Sequence, residues 1–461
     1  MTWEAGLVKW LLACLALCAC GGDDTPDPPK EFLDQLKAIP GITVEQTETA
    51  TPGVTYFVLH FTQPVDHQDP DGPTFQQEVS LLHRGLDAPM IVQTSGYHDY
   101  YLDRPVELTT LLIANQISIE HRFFGESRPE PADWSKLTIR QMADDQHVII
   151  AALRDIYPGA FLTTGGSKGG MTATYHRRFY PDDVDGTVPY VAPISFGAPD
   201  DRYTAFVDGI GPTSCRNALR AAAIEMLQNR RAVLESRASA QPNHAYTRIA
   251  LGAAVEVSVA ALEWAFWQYW GVEYCSDVPP VTASDDELFD FLDAVAPVGD
   301  SDDVQTAAFE AYYYQAYAQL GYPGQNATYL DALLLYTDAD YDGALPTPEL
   351  PPYDEGAAMT DIDNWVQTEG TRLLFVYGEF DPWTGGKYEL GNAADSLLLT
   401  QRQGSHGSRI NRLDDADRDA AYAKLEQWTG VQPLPPIVEK PTRDAEPRVP
   451  PVLIRLHAKR R

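Results

Sequence analysis

The stretch of the chain that most constrains its fold is a glycine-rich hexapeptide with a serine inside it, Gly165–Gly170. It follows a short apolar run, Phe161–Thr164, that is typical of a buried strand, and it precedes Met171–Phe179, which is typical of a helix. A serine at such a strand-to-helix turn is held in a strained conformation, with its hydroxyl exposed at the end of a sheet. Glycines beside it leave room where a side chain would collide with the turn or the neighbouring strand. The sequence therefore predicts a nucleophile elbow centred on Ser167.

Two residues far along the chain are placed to supply the base and the acid that a serine nucleophile needs. Asp381 comes just after a strong apolar strand, Thr371–Tyr377, and His406 lies in a loop just after the following strand, Ser396–Thr400. The carboxyl ends of parallel strands meet at one edge of a sheet, which is where α/β proteins keep their sites. The order serine, aspartate, histidine is that of the α/β-hydrolases. We therefore predict that these two residues and Ser167 form a catalytic triad.

Two alternatives to this assignment stay open. Glu379 lies two residues before Asp381 and competes with it as the acid. A Gly-x-Ser-x-Gly sequence also arises by chance in about one chain in ten of this length, as an ordinary glycine-rich turn. The strand before the motif, the helix after it and the downstream acid and base favour the catalytic interpretation.

The negative charge that develops on a substrate carbonyl needs backbone N–H donors close to the nucleophile. The residue after the serine, Lys168, supplies one donor through its backbone. We expect the second from the loop Ser95–Tyr97, through Gly96 or Tyr97, although an ordinary turn is the alternative for this loop. The Lys168 ammonium has no part in this prediction and is expected to be a solvated charge.

Strand-like and helix-like segments alternate at both ends of the chain, which predicts an α/β fold with a parallel sheet. Helical spacing over Thr138–Ile156 predicts one buried side made of Met142, Val148, Ile149, Leu153 and Ile156. The middle of the chain has no sheet pattern and contains aromatic-rich helical stretches, predicted at Ala218–Arg237, Ala250–Trp270, Asp285–Ala296 and Val304–Leu320. Together these patterns predict an α/β-hydrolase fold with an inserted helical cap.

The predicted domain organisation has six parts. They are a signal peptide with a lipobox at 1–20, a linker at 21–34, the first part of the hydrolase body at 35–199, the cap at 200–355, the second part of the body at 356–430 and a Pro-rich tail at 431–461.

The start of the chain and its cysteines predict export. A short charged segment leads into the apolar run Trp10–Ala19, and Cys20 stands at the position that a bacterial lipobox would lipidate, with an ordinary secretory signal as the alternative. Cys215 and Cys275 then remain as an even pair, which favours a disulfide in an oxidising compartment over two buried thiols. The formal charge of −32 argues against nucleic-acid binding through a basic face, so membrane contact is expected only through a lipid anchor at Cys20.

The residues of the elbow also carry a family resemblance. Gly165–Asp185 resembles the elbow of the prolyl tri/tetrapeptidyl aminopeptidase family, which are secreted bacterial serine peptidases. Glu120–Ser127 and Asp381–Gly386 resemble the related lysosomal Pro-Xaa carboxypeptidase and dipeptidyl peptidase family. The resemblance covers most of the chain from about 35 to 430 and is weakest in the helical cap. It implies the triad named above and release of short peptides from amino termini, often after proline.

An aminopeptidase must recognise the ammonium group of its substrate, and a carboxylate in a partly desolvated cleft does this well. Glu120 and Glu126 lie on the loop after a predicted central strand, and we expect one of them to bind the substrate amine. The alternative is that they pair with Arg122 or Arg128. No cofactor or metal is expected, because the chain has no His-Glu-x-x-His motif and no cysteine–histidine cluster.

The function predicted from the sequence is that of an exported serine exopeptidase acting on peptides with a free amino terminus. A carboxylesterase or lipase on the same fold is the nearest alternative, since a fold does not fix a substrate. A catalytically silent surface protein that binds peptides through its cap is another, and carboxypeptidase polarity is a third.

Overall fold

The computed structural model describes residues 30–100, 102–324, 327–347 and 351–435. The predicted signal peptide, the lipidation site at Cys20 and the tail beyond residue 435 lie outside the described residues. The predicted linker, 21–34, ends too late, because a helix begins at Lys30 and its Phe32 side chain is buried. The Pro/Asp composition stops at Pro29, and apolar residues at helical spacing follow it.

A nine-stranded sheet organises the described residues. Its strands are β1 (Ile42–Thr47), β2 (Thr55–Pro64), β3 (Thr74–His83), β4 (Met90–Thr94), β5 (Asn115–Ile119), β6 (Phe161–Gly166), β7 (Gly186–Tyr190), β8 (Leu374–Gly378) and β9 (Leu397–Gln401). Their order is β1-β2-β3-β5-β4-β6-β7-β8-β9. The pairs β1–β2, β2–β3 and β3–β5 are antiparallel, and all the other pairs are parallel. Every residue of β4, β5, β7 and β8 is buried, as expected for parallel strands covered on both faces.

Helices cover both faces of this sheet. In chain order the α-helices are α1 (Lys30–Lys37), α2 (Glu107–Leu111), α3 (Ile139–Arg154), α4 (Lys168–Phe179), α5 (Arg202–Val207), α6 (Thr213–Asn229), α7 (Arg231–Ala240), α8 (Leu251–Ala260), α9 (Leu262–Ala265), α10 (Asp285–Val295), α11 (Asp303–Gln315), α12 (Ala357–Thr368) and α13 (Asp415–Thr429). Short 3₁₀ helices lie at Trp134–Lys136, Val272–Asp277, Val298–Ser301, Thr328–Leu333, Asp338–Ala344, Pro382–Gly386 and Ile410–Arg412.

Each face of the sheet has its own apolar core. Helices α1 and α3 bury Phe32, Ile149 and Leu153 against one face, and α2 and α13 bury Leu108 and Leu425 against the other. The predicted buried side of α3 is wrong at Val148, which is exposed. That residue lies six positions after Met142, about 240° around the helix axis, so it falls outside the apolar side.

The chain between β7 and β8 forms helices α5–α12, of which α5–α11 belong to the helical insertion. The helix predicted at Ala218–Arg237 is two helices, because Arg230, between α6 and α7, leaves the helical conformation at φ −121° and ψ 0°. The stretch predicted as Ala250–Trp270 consists of α8, α9 and a π-helical turn, Phe266–Trp270. A second π-helical turn, Ala316–Leu320, follows α11.

The sheet order, the helices on both faces and the helical insertion after β7 are those of an α/β-hydrolase fold, which confirms the predicted fold class. Within the described residues, no helix combines the length and the apolar composition required to cross a membrane.

Candidate active site

Ser167 occupies the turn between β6 and α4, as the sequence predicted for a nucleophile elbow. Its backbone has φ 54° and ψ −124°, a conformation that a serine rarely adopts. The turn is fixed on both sides: the Ser167 N–H donates to the Tyr190 carbonyl at 2.9 Å, and the Ser167 carbonyl accepts from the Met171 N–H at 3.0 Å. A strained residue held in this way presents its side chain at the carboxyl edge of the sheet.

The two glycines nearest this serine are required by close backbone contacts. A Cβ on Gly169 would overlap the carbonyl oxygen of Thr94 in β4, and a Cβ on Gly165 would overlap the backbone of Gly169. The elbow therefore packs directly against the neighbouring strand, with no space for a side chain.

His406 and Asp381 form a buried pair on the loops that follow β9 and β8. The Nδ1 atom of His406 lies 2.8 Å from the Oδ2 atom of Asp381, and the two side chains are 4% and 0% exposed. A carboxylate only accepts hydrogen bonds, so Nδ1 is the donor and Nε2 is the basic nitrogen of the ring. The Trp383 N–H donates to the second carboxylate oxygen at 3.1 Å. This is the arrangement that holds an imidazole ready to remove a proton.

Glu379, the competing acid, points elsewhere. It is exposed, and its carboxylate accepts the Gln403 N–H at 2.7 Å. Strands β6, β7, β8 and β9 are consecutive and parallel, so the loops that carry Ser167, Asp381 and His406 emerge at the same sheet edge.

The loop after β4, Ser95–Tyr97, lies directly against the elbow. Gly96 has φ +75°, and a Cβ placed on it would lie 2.7 Å from both the Lys168 carbonyl carbon and the Gly169 nitrogen. The Tyr97 N–H donates to the Ser95 hydroxyl at 3.1 Å, so it already has a partner inside the loop. Of the three predicted oxyanion donors, the N–H groups of Gly96 and Lys168 are therefore better candidates than the Tyr97 N–H, which is already hydrogen-bonded.

The expectation that the Lys168 side chain is a solvated charge is wrong. The side chain is 2% exposed, and its Nζ atom donates to the Gly96 carbonyl at 2.5 Å. Its burial could not be read from the sequence, because the groups that cover it come from loops more than forty residues earlier, around Tyr97 and Phe124.

Glu120 and Glu126 have different surroundings at the carboxyl end of β5. Glu120 is buried, and its carboxylate accepts the Asp99 N–H at 3.1 Å and both the N–H and the hydroxyl of Ser127, at 3.1 and 3.0 Å. Burial raises the pKa of Glu120 above its ordinary value. Glu126 is exposed and lies near Glu78.

The alternative partners proposed for these glutamates from the sequence are engaged elsewhere. Arg122 forms a buried ion pair with Asp145 at 2.6 Å, and Arg128 pairs with Glu310 of α11 at 2.9 Å. Arg122 and Arg128 therefore bind carboxylates of α3 and α11 rather than those of Glu120 and Glu126.

A group of possible metal ligands also lies near this loop. One ligand atom from each of His60, Glu78 and Glu126 falls within 4.8 Å of the others. Glu126 is exposed, and exposed carboxylates often lie close together without a metal ion.

Helices of the insertion cover the loops of the site. The His406 N–H donates to the Gln268 carbonyl at 3.0 Å, and the Trp267 and Phe380 rings meet edge to face. On the other side, Phe309 and Tyr312 of α11 pack on Tyr97. Gln268 contributes through its backbone, so its residue type gave no signal in the sequence. Both flanking segments include a π-helical turn, a feature often found at functional sites.

Cys215 and Cys275 form a disulfide in the insertion, with Cα atoms 5.4 Å apart. The bond joins α6 to the 3₁₀ helix Val272–Asp277, directly after the π-helical turn that contacts the His406 loop.

A serine on a strained elbow and a buried imidazole–carboxylate pair, on loops that emerge at the same edge of this sheet, are typical of a serine hydrolase of the α/β-hydrolase fold. More narrowly, the chain belongs to the peptidase S37 family (PS-10 peptidase S37), whose profile matches residues 28–449. It is therefore a serine peptidase, which confirms the enzyme class and the family resemblance predicted from the sequence.

Similar proteins extend over different parts of the chain. The prolyl tri/tetrapeptidyl aminopeptidase of Streptomyces mobaraensis is 38% identical over 430 residues, which are 92% of this chain and 90% of that protein. The lysosomal Pro-X carboxypeptidase of Mus musculus is 31% identical over 199 residues, 38% of this chain and 39% of that protein. Among solved structures, the proline iminopeptidase of Mycobacterium smegmatis aligns with a TM-score of 0.35 at 14% identity, over 80% of this chain and 98% of that one.

Proposed function

We propose that the protein is an exported serine exopeptidase that releases tripeptides or tetrapeptides from the amino terminus of peptides, with a preference for cleavage after proline. The observation that carries the catalytic part is the buried His406–Asp381 pair, 2.8 Å between Nδ1 and Oδ2, at the sheet edge where Ser167 emerges. Ser167 attacks the peptide carbonyl, His406 takes the serine proton and returns it to the leaving amine, and Asp381 orients the imidazole. Water then hydrolyses the acyl-enzyme.

The oxyanion of the tetrahedral intermediate is bound by backbone N–H groups. Lys168 is the first residue of α4, so its N–H has no partner within the helix and belongs to the positive end of the helix dipole. Gly96, against the start of the same helix, supplies the second N–H. Two donors of this kind stabilise the charge of the transition state more than the carbonyl of the bound substrate, and they therefore lower the activation barrier.

The acidic loop after β5 supports amino-terminal recognition. Glu120 and Glu126 of this loop lie near Glu78 of β3 and Asp99, and burial, together with the neighbouring carboxylates, raises the pKa of Glu78 and of Glu120, so the region attracts an ammonium group. Glu120 accepts three hydrogen bonds, and a carboxylate has room for about four. We propose that Glu120 or Glu126 binds the substrate amine.

The length of the released peptide is consistent with this position. Strand β5 is two strands away from β6, and strands lie about 4.8 Å apart, so the ends of β5 and β6 are about 10 Å apart. An extended peptide advances about 3.3 Å per residue. About three residues therefore separate a carbonyl at Ser167 from an amine held at the end of β5.

The insertion and its disulfide bear on access and on location. Helices on both sides of the site favour entry of a free chain end over a folded segment, which suits an exopeptidase. A structural disulfide persists in an oxidising compartment and so supports export. Lipidation at Cys20 stays part of this proposal, as does the absence of nucleic-acid partners for a chain with a formal charge of −32.

Defined peptides test the specificity. A proline-containing hexapeptide is offered with a free amino terminus, with an acetylated amino terminus and with an amidated carboxyl terminus, and the products are weighed. We expect cleavage of the free and the amidated peptides with release of a tripeptide or tetrapeptide, and little cleavage of the acetylated one. Loss of cleavage on carboxyl amidation would instead indicate carboxypeptidase polarity, and turnover of short esters alone would indicate an esterase.

The same peptides test the amine site. Glu120→Gln and Glu126→Gln variants are compared on the free and acetylated substrates. Loss of a charge-assisted contact reduces the preference for the free amine by about 10- to 100-fold in the variant that removes the binding group. If both variants keep the wild-type preference, neither glutamate binds the amine.

A further inference from the structure

The side chain of Lys168 is buried beside the nucleophile and is used by no step described so far. It is the first residue of α4, it is 2% exposed, and its Nζ atom donates to the Gly96 carbonyl at 2.5 Å. Fully buried lysines are rare, because removing the charged amine from water is costly. Such a residue at this position calls for a specific role.

Aromatic rings, rather than a carboxylate, surround this amine. The rings of Tyr97 and Phe124 each lie 5.3 Å from Nζ, and no described residue forms an ion pair with it. Burial lowers the pKa of the Lys168 amine well below its ordinary value. Burial also lowers the pKa of the nearby His121, and the charge of Lys168 lowers it further. Neutral and charged amines both donate hydrogen bonds, so the contact with Gly96 does not depend on the charge.

The Gly96 carbonyl belongs to the loop that carries the second oxyanion donor. In the Gly96–Tyr97 peptide group, the carbonyl accepts from Lys168 and the N–H at the opposite end donates to the Ser95 hydroxyl at 3.1 Å. A trans peptide is rigid, so these two contacts fix its plane. The Gly96 N–H belongs to the preceding peptide group and is joined to this fixed plane through the Gly96 Cα, which has φ +75° and lies against the Lys168 backbone. The contacts therefore restrict the part of the loop that carries the Gly96 N–H.

We propose that Lys168 is a positioning residue whose side chain locks the Gly96 loop, so that the Gly96 N–H and the Lys168 N–H converge on the substrate oxyanion. The backbone and the side chain of one residue thereby organise both donors. Without the side chain, the Gly96 carbonyl loses this hydrogen bond, and the loop that carries the Gly96 N–H can move away from the oxyanion. The proposal rests on the function proposed above, with Ser167 as the nucleophile.

Lys168→Met removes the donor and keeps an unbranched apolar side chain, and Lys168→Gln keeps a donor; both side chains are one atom shorter than that of lysine. Thr174→Val is the matched control: it removes a buried side-chain hydrogen bond from the same helix, the 2.9 Å contact to the Gly170 carbonyl. Each variant is measured for kcat, KM, inhibition by a peptidyl trifluoromethyl ketone, which forms an oxyanion on the enzyme, and inhibition by the product peptide. The unfolding temperature is recorded in parallel.

We expect Lys168→Met to lower kcat by about 10- to 100-fold, somewhat less than complete loss of one oxyanion donor. The inhibition constant of the ketone rises by a similar factor, whereas KM and the inhibition constant of the product stay within about twofold. Lys168→Gln falls between wild type and Lys168→Met, and Thr174→Val behaves as wild type in all four measurements.

A Lys168→Met enzyme with wild-type kcat and wild-type ketone affinity overturns the proposal, even if its unfolding temperature falls. Equal losses of ketone and product affinity overturn it too, because they indicate general damage to the site. If Lys168→Met does not fold, Lys168→Gln decides the question by the ratio of ketone to product inhibition. Ser167→Ala separates the two proposals: activity retained there removes the proposed nucleophile and this inference with it, whereas an inactive Ser167→Ala beside a normal Lys168→Met removes only this inference.

Discussion

Ser167 shows how much of this site depends on single residues. Its positive φ is unfavourable for a serine, and neighbouring contacts hold it in place: the hydrogen bond to Tyr190, and the contact of Gly169 with Thr94 that allows no side chain. The His406–Asp381 pair is equally constrained, since the Trp383 N–H holds the second oxygen of the carboxylate. Fixed groups of this kind need no rearrangement when the reaction begins.

The first prediction concerns the acid. Asp381→Asn replaces the carboxylate by an amide that can donate to Nδ1 of His406, which selects the wrong tautomer of the ring. We expect kcat on a proline tripeptide anilide to fall roughly 10,000-fold, with little change in KM. Glu379→Gln is the matched control, two residues away on the same loop, and should keep kcat within about twofold. If the two variants lose activity equally, the assignment of Asp381 is wrong.

At the scale of residues, the sequence predicted which candidate side chains lie at the ends of strands. Asp381 and His406 were recognisable because each follows an apolar strand at a fixed place in the chain order. The burial of Lys168 and the hydrogen bonds of Glu120 could not be predicted from the sequence, because both depend on loops that only the fold brings together. Charged residues are assumed to be exposed unless a partner is known, and here the partners are backbone groups and rings.

Among the elements, the helices of the insertion depart furthest from their predicted bounds. Apolar spacing correctly indicated helices there, but it did not indicate the break at Arg230 or the π-helical turn Phe266–Trp270. The π-helical turn carries Gln268, whose carbonyl accepts the His406 N–H. The break and the turn follow from tertiary packing rather than from local preference. Helix α1 was missed because it begins directly after a Pro/Asp segment.

The second prediction concerns the disulfide of the insertion. Cys215 and Cys275 are 60 residues apart, and closing a loop of that length restricts the unfolded chain. We expect a Cys215→Ser/Cys275→Ser variant to lose about 2–4 kcal/mol in the free energy of unfolding, measured by urea denaturation. Reduction of the wild type with dithiothreitol should give the same loss and should leave the double variant unchanged. A wild type whose stability does not respond to reductant contradicts this prediction.

The third prediction concerns the packing of α1 on β3. His83 is buried, its ring stacks on Phe32 at 3.8 Å between centroids, and its Nδ1 atom lies 2.9 Å from the Tyr157 hydroxyl. Burial lowers the pKa of His83 from 6.5 to about 4. Between these two pH values the unfolded chain binds the proton and the folded chain does not. The contribution of His83 to the free energy of unfolding is therefore fully present above about pH 6.5. It decreases by about 3 kcal/mol as the pH falls toward 4.

The measurement is urea unfolding of the wild type and of His83→Phe between pH 4 and pH 7. The variant keeps a ring against Phe32 and removes the titrating group, so its stability should fall less steeply with acidification. Equal slopes for the two proteins would mean that the pKa of His83 is the same in the folded and the unfolded chain, which contradicts the prediction.

For the whole molecule, the sheet brings distant parts of the sequence to one edge. Ser167, Asp381 and His406 span 240 residues, yet they follow three strands of the consecutive parallel set β6–β9. The fold class could be predicted because this rhythm of strands and helices is local in the sequence. The position of the insertion above the site could not, because its contacts join helices to loops more than one hundred residues away.

Ion pairs and rings then connect the insertion to the body on both sides of the site. Arg128 of the body pairs with Glu310 of α11, and Trp264 of α9 packs on Trp383 beside Asp381. The insertion therefore packs directly against the loops of the candidate site.

The most direct test of the account is the site of covalent modification by a fluorophosphonate, which reacts with activated serines. Wild-type protein is labelled, digested and analysed by mass spectrometry, alongside Ser167→Ala and His406→Ala. We predict one modified residue, Ser167, with no labelling in Ser167→Ala, labelling at least about 100-fold slower in His406→Ala, and no peptide release by either variant. A label on another serine, or peptide release that survives in Ser167→Ala, would contradict the central claim.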